Sequence, residues 1–380
     1  MHRCAQLARS TRRVYSRDVI YNFTAPPRVR LQSRFSSSSA SPSASGTTTS
    51  PPPPPRKTSR TAILLTTLAL AAAATTYQLS SSSPPPSSTL HDRIFTPFTI
   101  TSKTPISPTS TIFTLSPPPS PTSSPSSDPY APLWSTLWSL TFKQPQLQVA
   151  RSYTPLPPPP TSTPPTTPGT LRFLIRREHG GEVSSYLSAL PVGATIDVRG
   201  PVIEYKVPSD ISDVVFLAGG TGIAPALQAV RAVLGEGGGD NEKTVKILWA
   251  NRNRSECAGA PVAVPWWSRI WGTAAGPSEP PSPLVEELRG LEARYGGRVE
   301  VKYFIDTEGT FIDRRGILEA VKSATGDAKA GRKLIMVAGP DGFVKHYVGA
   351  RVWEGGEEKQ GPLGGVVKGL GLGGWEVLKL

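Results

Sequence analysis

Val214-Val-Phe-Leu-Ala-Gly-Gly-Thr-Gly-Ile-Ala-Pro225 decides how this chain is built. Its first five residues, Val214 to Ala218, are apolar without interruption, the pattern of a strand buried on both faces. The turn Gly219-Gly220-Thr221-Gly222 follows, and Ala226 to Leu234 then places apolar residues at helical spacing. Strand, tight turn and helix in that order begin a βαβ unit, which is the context a dinucleotide-binding turn requires. Gly220 and Gly222 let the backbone approach a nucleotide, Thr221 offers a hydroxyl, and Pro225 suits the first turn of the helix. The spacing is not Gly-x-Gly-x-x-Gly, so a merely structural turn stands as the alternative.

Working downstream, Val245 to Ala250, Val299 to Phe304 and Lys333 to Ala338 read as further strands, with helices at Leu284 to Tyr295 and Gly316 to Ser323. That alternation predicts a parallel sheet covered by helices. Upstream the period changes. Phe98 to Ile100, Ile112 to Leu115, Leu137 to Phe142, Leu147 to Val149, Leu171 to Arg176 and Thr195 to Arg199 are short alternating segments, about the six strands of a small antiparallel barrel. Proline-rich inserts at Pro117–Pro132 and Pro155–Pro168 lack ladder donors and must loop out. The fold class is therefore β followed by α/β: a six-stranded antiparallel barrel over 92–207, then a Rossmann-like parallel-sheet domain over 208–380. Gly272–Pro283 and Gly355–Gly365 read as exposed loops.

The net charge of +13 over 380 residues would suit a nucleic-acid partner if it were spread over a folded surface. It is not. Residues 1–60 hold eleven Lys and Arg against the single acid Asp18, which leaves +3 for everything after them. No nucleic-acid interface is implied. Arg3, Arg9, Arg12, Arg13, Arg17, Arg28, Arg30 and Arg34, followed by Ser36 to Ser39, have the composition of a mitochondrial transit peptide over 1–35. A Ser/Pro linker over 36–60 leads to the uncharged stretch 61–79, framed by Arg56, Lys57 and Arg60. At a rise of about 1.5 Å per residue the stretch can just span a hydrocarbon core as a transmembrane helix. Residues 80–91 form a second linker. Positive charge precedes the apolar stretch, so the bulk of the chain is expected to face the intermembrane space from the mitochondrial inner membrane, as a single-pass protein. Two cysteines, Cys4 and Cys257, and four histidines without ligand spacing offer no disulfide framework and no metal site.

Three further segments carry chemistry. Arg151-Ser-Tyr-Thr154 contains a planar cation for a pyrophosphate (Arg151), a flat face for an isoalloxazine (Tyr153) and a small hydroxyl beside the atom that accepts hydride (Thr154). That set suits FAD. Gly180-Gly181-Glu-Val183-Ser184-Ser185 starts a helix whose free amides can hold phosphate, with Ser184 or Ser185 adding a hydroxyl or a cap. A capped helix without ligand would read the same way. Ala338-Gly339-Pro340-Asp341 follows the last core strand and supplies a second glycine turn. At Asn251-Arg252-Asn253-Arg254 an arginine could take a 2′-phosphate, so NADH and NADPH both stand as hydride donors.

In this order the segments resemble the ferredoxin reductase superfamily, and within it the cytochrome b5 reductase branch, over about residues 95–380. The resemblance implies FAD held by Arg151, Tyr153, Thr154, Gly181, Val183, Ser184 and Ser185, with Tyr153 and Thr154 at the reacting ring. It implies a nicotinamide nucleotide held by Gly220, Thr221, Gly222, Gly339 and Pro340. Val183 stands where the branch has Met, and Ala338 where it has a cysteine that helps align nicotinamide and flavin. An aromatic near the C-terminal end shields the flavin in the superfamily, and Trp375 is the nearest one here. Together with the N-terminal address, the segments resemble fungal mitochondrial flavoproteins that assist haem attachment to cytochrome c. That implies haem, cytochrome c and its haem lyase as partners. A general NADH-cytochrome b5 reductase-like enzyme and a non-catalytic flavin-binding assembly factor are the alternatives. Trp266, Trp267 and Trp271 read as core packing or as a partner-facing patch.

Overall fold

A computed structural model describes residues 90–118, 128–159, 168–235, 243–261, 280–324 and 331–380. The stretches read as transit peptide (1–35), linker (36–60) and transmembrane helix (61–79), the second linker up to residue 89, and the three tryptophans at 266, 267 and 271 lie outside the described residues. Among the described residues, no helix is long and apolar enough to cross a membrane.

The first half follows a two-residue period. β1 (Thr96–Pro105) buries Thr96, Phe98 and Ile100 in alternation, and β2 (Ser110–Ser116) pairs with it antiparallel. β3 (Thr136–Gln144), β4 (Val149–Tyr153), β5 (Pro155–Leu156), β6 (Leu171–Arg176) and β7 (Thr195–Lys206) complete a sheet of order β4-β3-β7-β1-β2-β6-β5. β4 and β5 are one stretch of chain interrupted at Thr154. β4 pairs with β3 and β5 pairs with β6, so that stretch joins the two ends of the sheet and closes it. Counted this way the ring has the expected six strands. Phe98, Phe113, Trp138, Leu140, Phe142 and Phe173 fill it, each burial worth about 1.5–3 kcal/mol. α1 (Glu182–Ala189) adds Val183 and Leu187 to the same core.

The second half changes to continuous burial. β8 (Ile211–Gly219) is buried at every position. A 3-10 turn at Gly220–Gly222 leads into α2 (Ile223–Leu234). β9 (Thr244–Asn251), α3 (Pro283–Tyr295), β10 (Val299–Ile305), α4 (Arg314–Ala324), β11 (Arg332–Ala338) and α5 (Asp341–Val348) follow. A hairpin of β12 (Val352–Glu354) and β13 (Glu357–Lys359), the short α6 (Gly365–Lys368) and β14 (Trp375–Lys379) end the chain described. Among the described residues the sheet is parallel throughout, in the order β10-β9-β8-β11-β14. α2 and α3 cover one face, α4 and α5 the other.

Three expectations are corrected. Pro155 and Leu156, read as the start of a looped-out insert, form the buried β5 and pair with β6. Gly355–Gly365 is not wholly loop, since the β12–β13 hairpin occupies part of it. Trp375 opens β14 opposite Lys333, at the amino end of β11, and packs half-buried against the core under α4 and α5 rather than at the cleft. The chain runs β8, β9, β10 outward and then returns to β11 beside β8, so the switch point lies between β8 and β11. Ligands of such sheets bind outside the carboxyl ends of the strands at that point. Both glycine turns, 219–222 and 339, are there.

Candidate functional site

Between the two halves lies a cleft of ≈ 300 Å³. Ser139, Tyr153 and Thr154 of the barrel face Thr221, Gly222, Ala338 and Gly339 of the sheet across it. Thr154 takes its place there because it is the break in the closing strand, where neither ladder claims it. Tyr153 is held by an edge-on contact with Phe142, ring centroids 5.1 Å apart. Burial pushes its hydroxyl up to about 12, with Arg151 opposing the shift, so it is a neutral surface at physiological pH. An aromatic face and a small hydroxyl therefore stand side by side at the cleft.

Arg151 leads away from the cleft on the same strand. Its side chain is 60% exposed and approaches Glu182 Oε2 at 3.8 Å, which places it at the first turn of α1. A guanidinium beside the amides of a helix N-terminus is an anion site with two independent sources of positive potential. Arg151, Tyr153 and Thr154 thus run from an anion site to the cleft along one strand, which suits a flavin dinucleotide.

The segment from Gly181 to Ser185 contributes less by side chain than expected. Gly181 is the N-cap of α1 and makes no side-chain cap bond. Ser184 is buried and its hydroxyl is spent internally, accepting from Glu178 N at 3.1 Å and donating to Gly181 O at 3.3 Å. Val183 points into the barrel core. What this segment offers an anion is backbone, together with the exposed Ser185.

On the sheet side, the glycines act by what they lack. A Cβ on Gly222 would lie 2.3 Å from the carbonyl oxygen of Ala338, and one on Gly339 would lie 3.1 Å from Gly219 Cα. The two turns pack backbone on backbone, and Gly220 adopts φ +54°. Trp249 Nε1 donates to Gly220 O at 2.8 Å and fixes the turn from below. Pro340 lies just beyond, as the N-cap of α5. Leu380, not Trp375, lines the cleft.

Two residues that matter to this arrangement were not anticipated. Gln228 on α2 is fully buried; its Oε1 accepts from Trp138 N at 2.9 Å and its Nε2 donates to Trp138 O at 3.1 Å and Pro155 O at 2.9 Å. It locks the sheet half onto the barrel beside Thr154. A lone polar residue within an apolar helical stripe was the available signal. Glu256, in the turn after β9, accepts from the hydroxyls of Ser107, Thr109 and Ser110 at 3.1, 2.8 and 2.8 Å. Arg172 and Glu287 add a bidentate pair at 2.7 and 2.9 Å between β6 and α3.

The arginines proposed for a 2′-phosphate differ. Arg254 is committed: its Nε donates to Glu308 Oε1 at 2.6 Å, its Nη2 also bonds Glu308, and its Nη1 donates to Ala260 O at 3.0 Å. That fork holds the Glu308 carboxyl below the usual range. Arg252 is exposed. Burial pushes the Cys257 thiol up to about 11, so it is not a ready nucleophile.

Comparison with known proteins agrees with this geometry. Residues 134–207 match the oxidoreductase FAD-binding domain model, and residues 216–260 match the oxidoreductase NAD-binding domain model. The chain thus carries FAD-binding and NAD-binding oxidoreductase domains and is an oxidoreductase. The oxidoreductase is 25% identical over 241 residues to NADH-cytochrome b5 reductase 2 of Lodderomyces elongisporus, covering 61% of this chain and 67% of the relative. It is also 25% identical to NADH-cytochrome b5 reductase 2 of Candida albicans, covering 54% of this chain and 59% of that one. Its fold matches the crystal structure of the cytochrome b5 reductase domain of Ulva prolifera nitrate reductase with a TM-score of 0.50 and 20% identity, over 77% of this chain and 99% of that domain. The oxidoreductase thus spans about six-tenths to two-thirds of the length of these two relatives.

Proposed function

We infer that this oxidoreductase takes electrons from NADH through FAD and passes them to ferric haem at the mitochondrial inner membrane, in support of haem attachment to cytochrome c. The observation that carries the reading is the cleft itself. In it the flavin-type set Tyr153–Thr154 meets the nucleotide turns Thr221–Gly222 and Gly339. FAD supplies acceptance of two electrons together and their release one at a time. Arg151 and the amides of α1 would hold its pyrophosphate, and Tyr153 and Thr154 would flank its ring. Thr221 would orient the nicotinamide, and the bare backbones of Gly222 and Gly339 would leave room for it. Ala338 lines the same wall without the thiol that the resemblance leads one to expect, so this chain must align the two rings by shape alone. The overall balance is NADH plus two ferric haems giving NAD⁺, one proton and two ferrous haems.

NADH is favoured over NADPH by the names of the relatives, and Glu308 already occupies the fork of Arg254, which leaves Arg252 alone for a 2′-phosphate. The names of the relatives, NADH-cytochrome b5 reductases, support a haem protein as acceptor. The Arg-rich, acid-poor stretch 1–35 and the uncharged stretch 61–79 support import and a single inner-membrane anchor, with the two domains in the intermembrane space and cytochrome c with its haem lyase as partners. A general reductase that serves cytochrome b5 is the second reading, resting on those same names. The deciding experiment is an absorption spectrum of the purified full-length protein before and after anaerobic NADH or NADPH, then with hemin, cytochrome b5 or ferricyanide added. Flavin absorbance bleached by NADH and restored by hemin is expected. A colourless protein, or one whose flavin NADH leaves oxidised, sinks the reading. An Arg151→Ala/Tyr153→Ala chain that loses flavin yet sustains haem attachment in cells would point to a scaffold instead.

A further inference from the structure

The β12–β13 hairpin stands at the edge of the cleft with an indole that is 55% exposed, Trp353. It is firmly seated. Lys379 Nζ donates to Ala350 O and Pro362 O, one on each side of the hairpin, both at 2.9 Å. Gln360 exchanges two hydrogen bonds of 2.8 Å with the backbone of Lys379. These bonds tie the hairpin to β14 and hence to the central sheet.

Arg351 immediately precedes β12, two residues before Trp353, and Glu358 lies directly opposite Trp353 in the register. Glu358 Oε2 accepts from Arg351 Nη1 at 3.0 Å, which brings the guanidinium to the face that Trp353 and Glu358 share. Arg351 also lines the cleft. The face that carries Trp353 is therefore continuous with the wall of the redox site. Arginine has five N–H donors in a planar fork, and Glu358 engages a single nitrogen, so the guanidinium retains donors for a second carboxylate.

We propose that this face seats the haem of the acceptor, with Trp353 against the macrocycle and Arg351 donating to a propionate. A flat apolar ring bearing carboxylates matches an exposed indole beside a guanidinium, whereas a quinone, flat but uncharged, offers Arg351 no ion pair. The proposal rests on haem as the acceptor. Its chemistry is the balance already given, one electron to each of two ferric haems.

The test compares full-length wild-type, Trp353→Ala and Trp353→Phe flavoproteins in anaerobic NADH reduction of the flavin, and in steady-state reduction of hemin and of ferricyanide, a small hydrophilic ion. Trp353→Ala is expected to lose kcat/KM on hemin about tenfold more than on ferricyanide, with Phe restoring most of it, as removal of one stacking ring implies. Equal losses on both acceptors, equal hemin rates in wild type and Trp353→Ala, or a change of oligomeric state in Trp353→Ala in place of a hemin defect would overturn the docking proposal alone. A wild-type protein that reduces ferricyanide but not hemin would overturn the haem reading, and the proposal with it.

Discussion

The barrel and the parallel sheet meet at one cleft but build their walls by opposite means. The barrel contributes side chains: Arg151 and Tyr153 stand on a strand whose backbone is paired with β3, and Thr154 stands at the break that follows it. The sheet contributes their absence, with Gly222 fitted against the Ala338 carbonyl and Gly339 against Gly219. Function and folding are therefore separable on the barrel side and fused on the sheet side. Deleting an exposed side chain leaves a barrel; adding a methyl group between two packed backbones displaces both.

That contrast can be broken most forcefully at Gly222. Gly222→Ala puts a Cβ 2.3 Å from a backbone oxygen that cannot rotate away, and a loss of about 3 kcal/mol or more is expected from such overpacking. Urea unfolding would measure it, and a variant as stable as the parent would end the claim that the sheet's wall depends on missing side chains. Gln228→Ala comes next. It strips Trp138 N, Trp138 O and Pro155 O of their partner at a buried junction, with an expected cost of about 2–3 kcal/mol. The unfolding of the two halves should then separate, visible as a second transition by calorimetry.

Arg151→Ala tests the other wall. FAD affinity should fall by roughly tenfold to a hundredfold, the worth of charge-assisted bonds to phosphate. The apoprotein should keep its stability within about 0.5 kcal/mol because the side chain is exposed. Unfolding of this variant at low denaturant would show that the barrel wall is as fused to folding as the sheet's. The smallest effect belongs to Tyr153. Burial pushes its hydroxyl from the ordinary 10.0 up to about 12 and so favours the neutral form. Its contribution is complete below about pH 10 and is lost as pH rises toward 12. Tyr153→Phe, which cannot ionise, should lose less stability over that window than wild type, as read from denaturant midpoints.

Much of this was legible beforehand because both halves announce their period. Phe98 and Ile100 alternate with polar neighbours, while Val214 to Ala218 does not alternate at all, and that difference separates a half-solvated strand from one covered on both faces. The turn at 219–222 and the Arg151 segment were readable as chemistry because few other residues would serve. Other residues misled. Ser184 is a good phosphate ligand by type, but its hydroxyl closes the loop before α1. Trp375 is aromatic and near the end of the chain, but β14 enters the sheet in parallel with β11, which places its first residue at the far edge from the cleft.

By itself, the amino-acid order determined a closed antiparallel ring followed by a glycine-turned parallel sheet, and the residue types that suit a flavin and a nucleotide. Local period and the rarity of glycine-rich turns are properties of neighbours in sequence, so they survive without coordinates. Tertiary structure alone decided that Thr154 is the closing break of the barrel and that Gln228 and Glu256 clasp the two halves. It likewise decided that Arg254 is already engaged, and that Trp353 shares a face with a cleft residue. Each of these depends on which distant strand lies alongside, and hydrogen bonds across 90 or 149 positions leave no trace in local pattern.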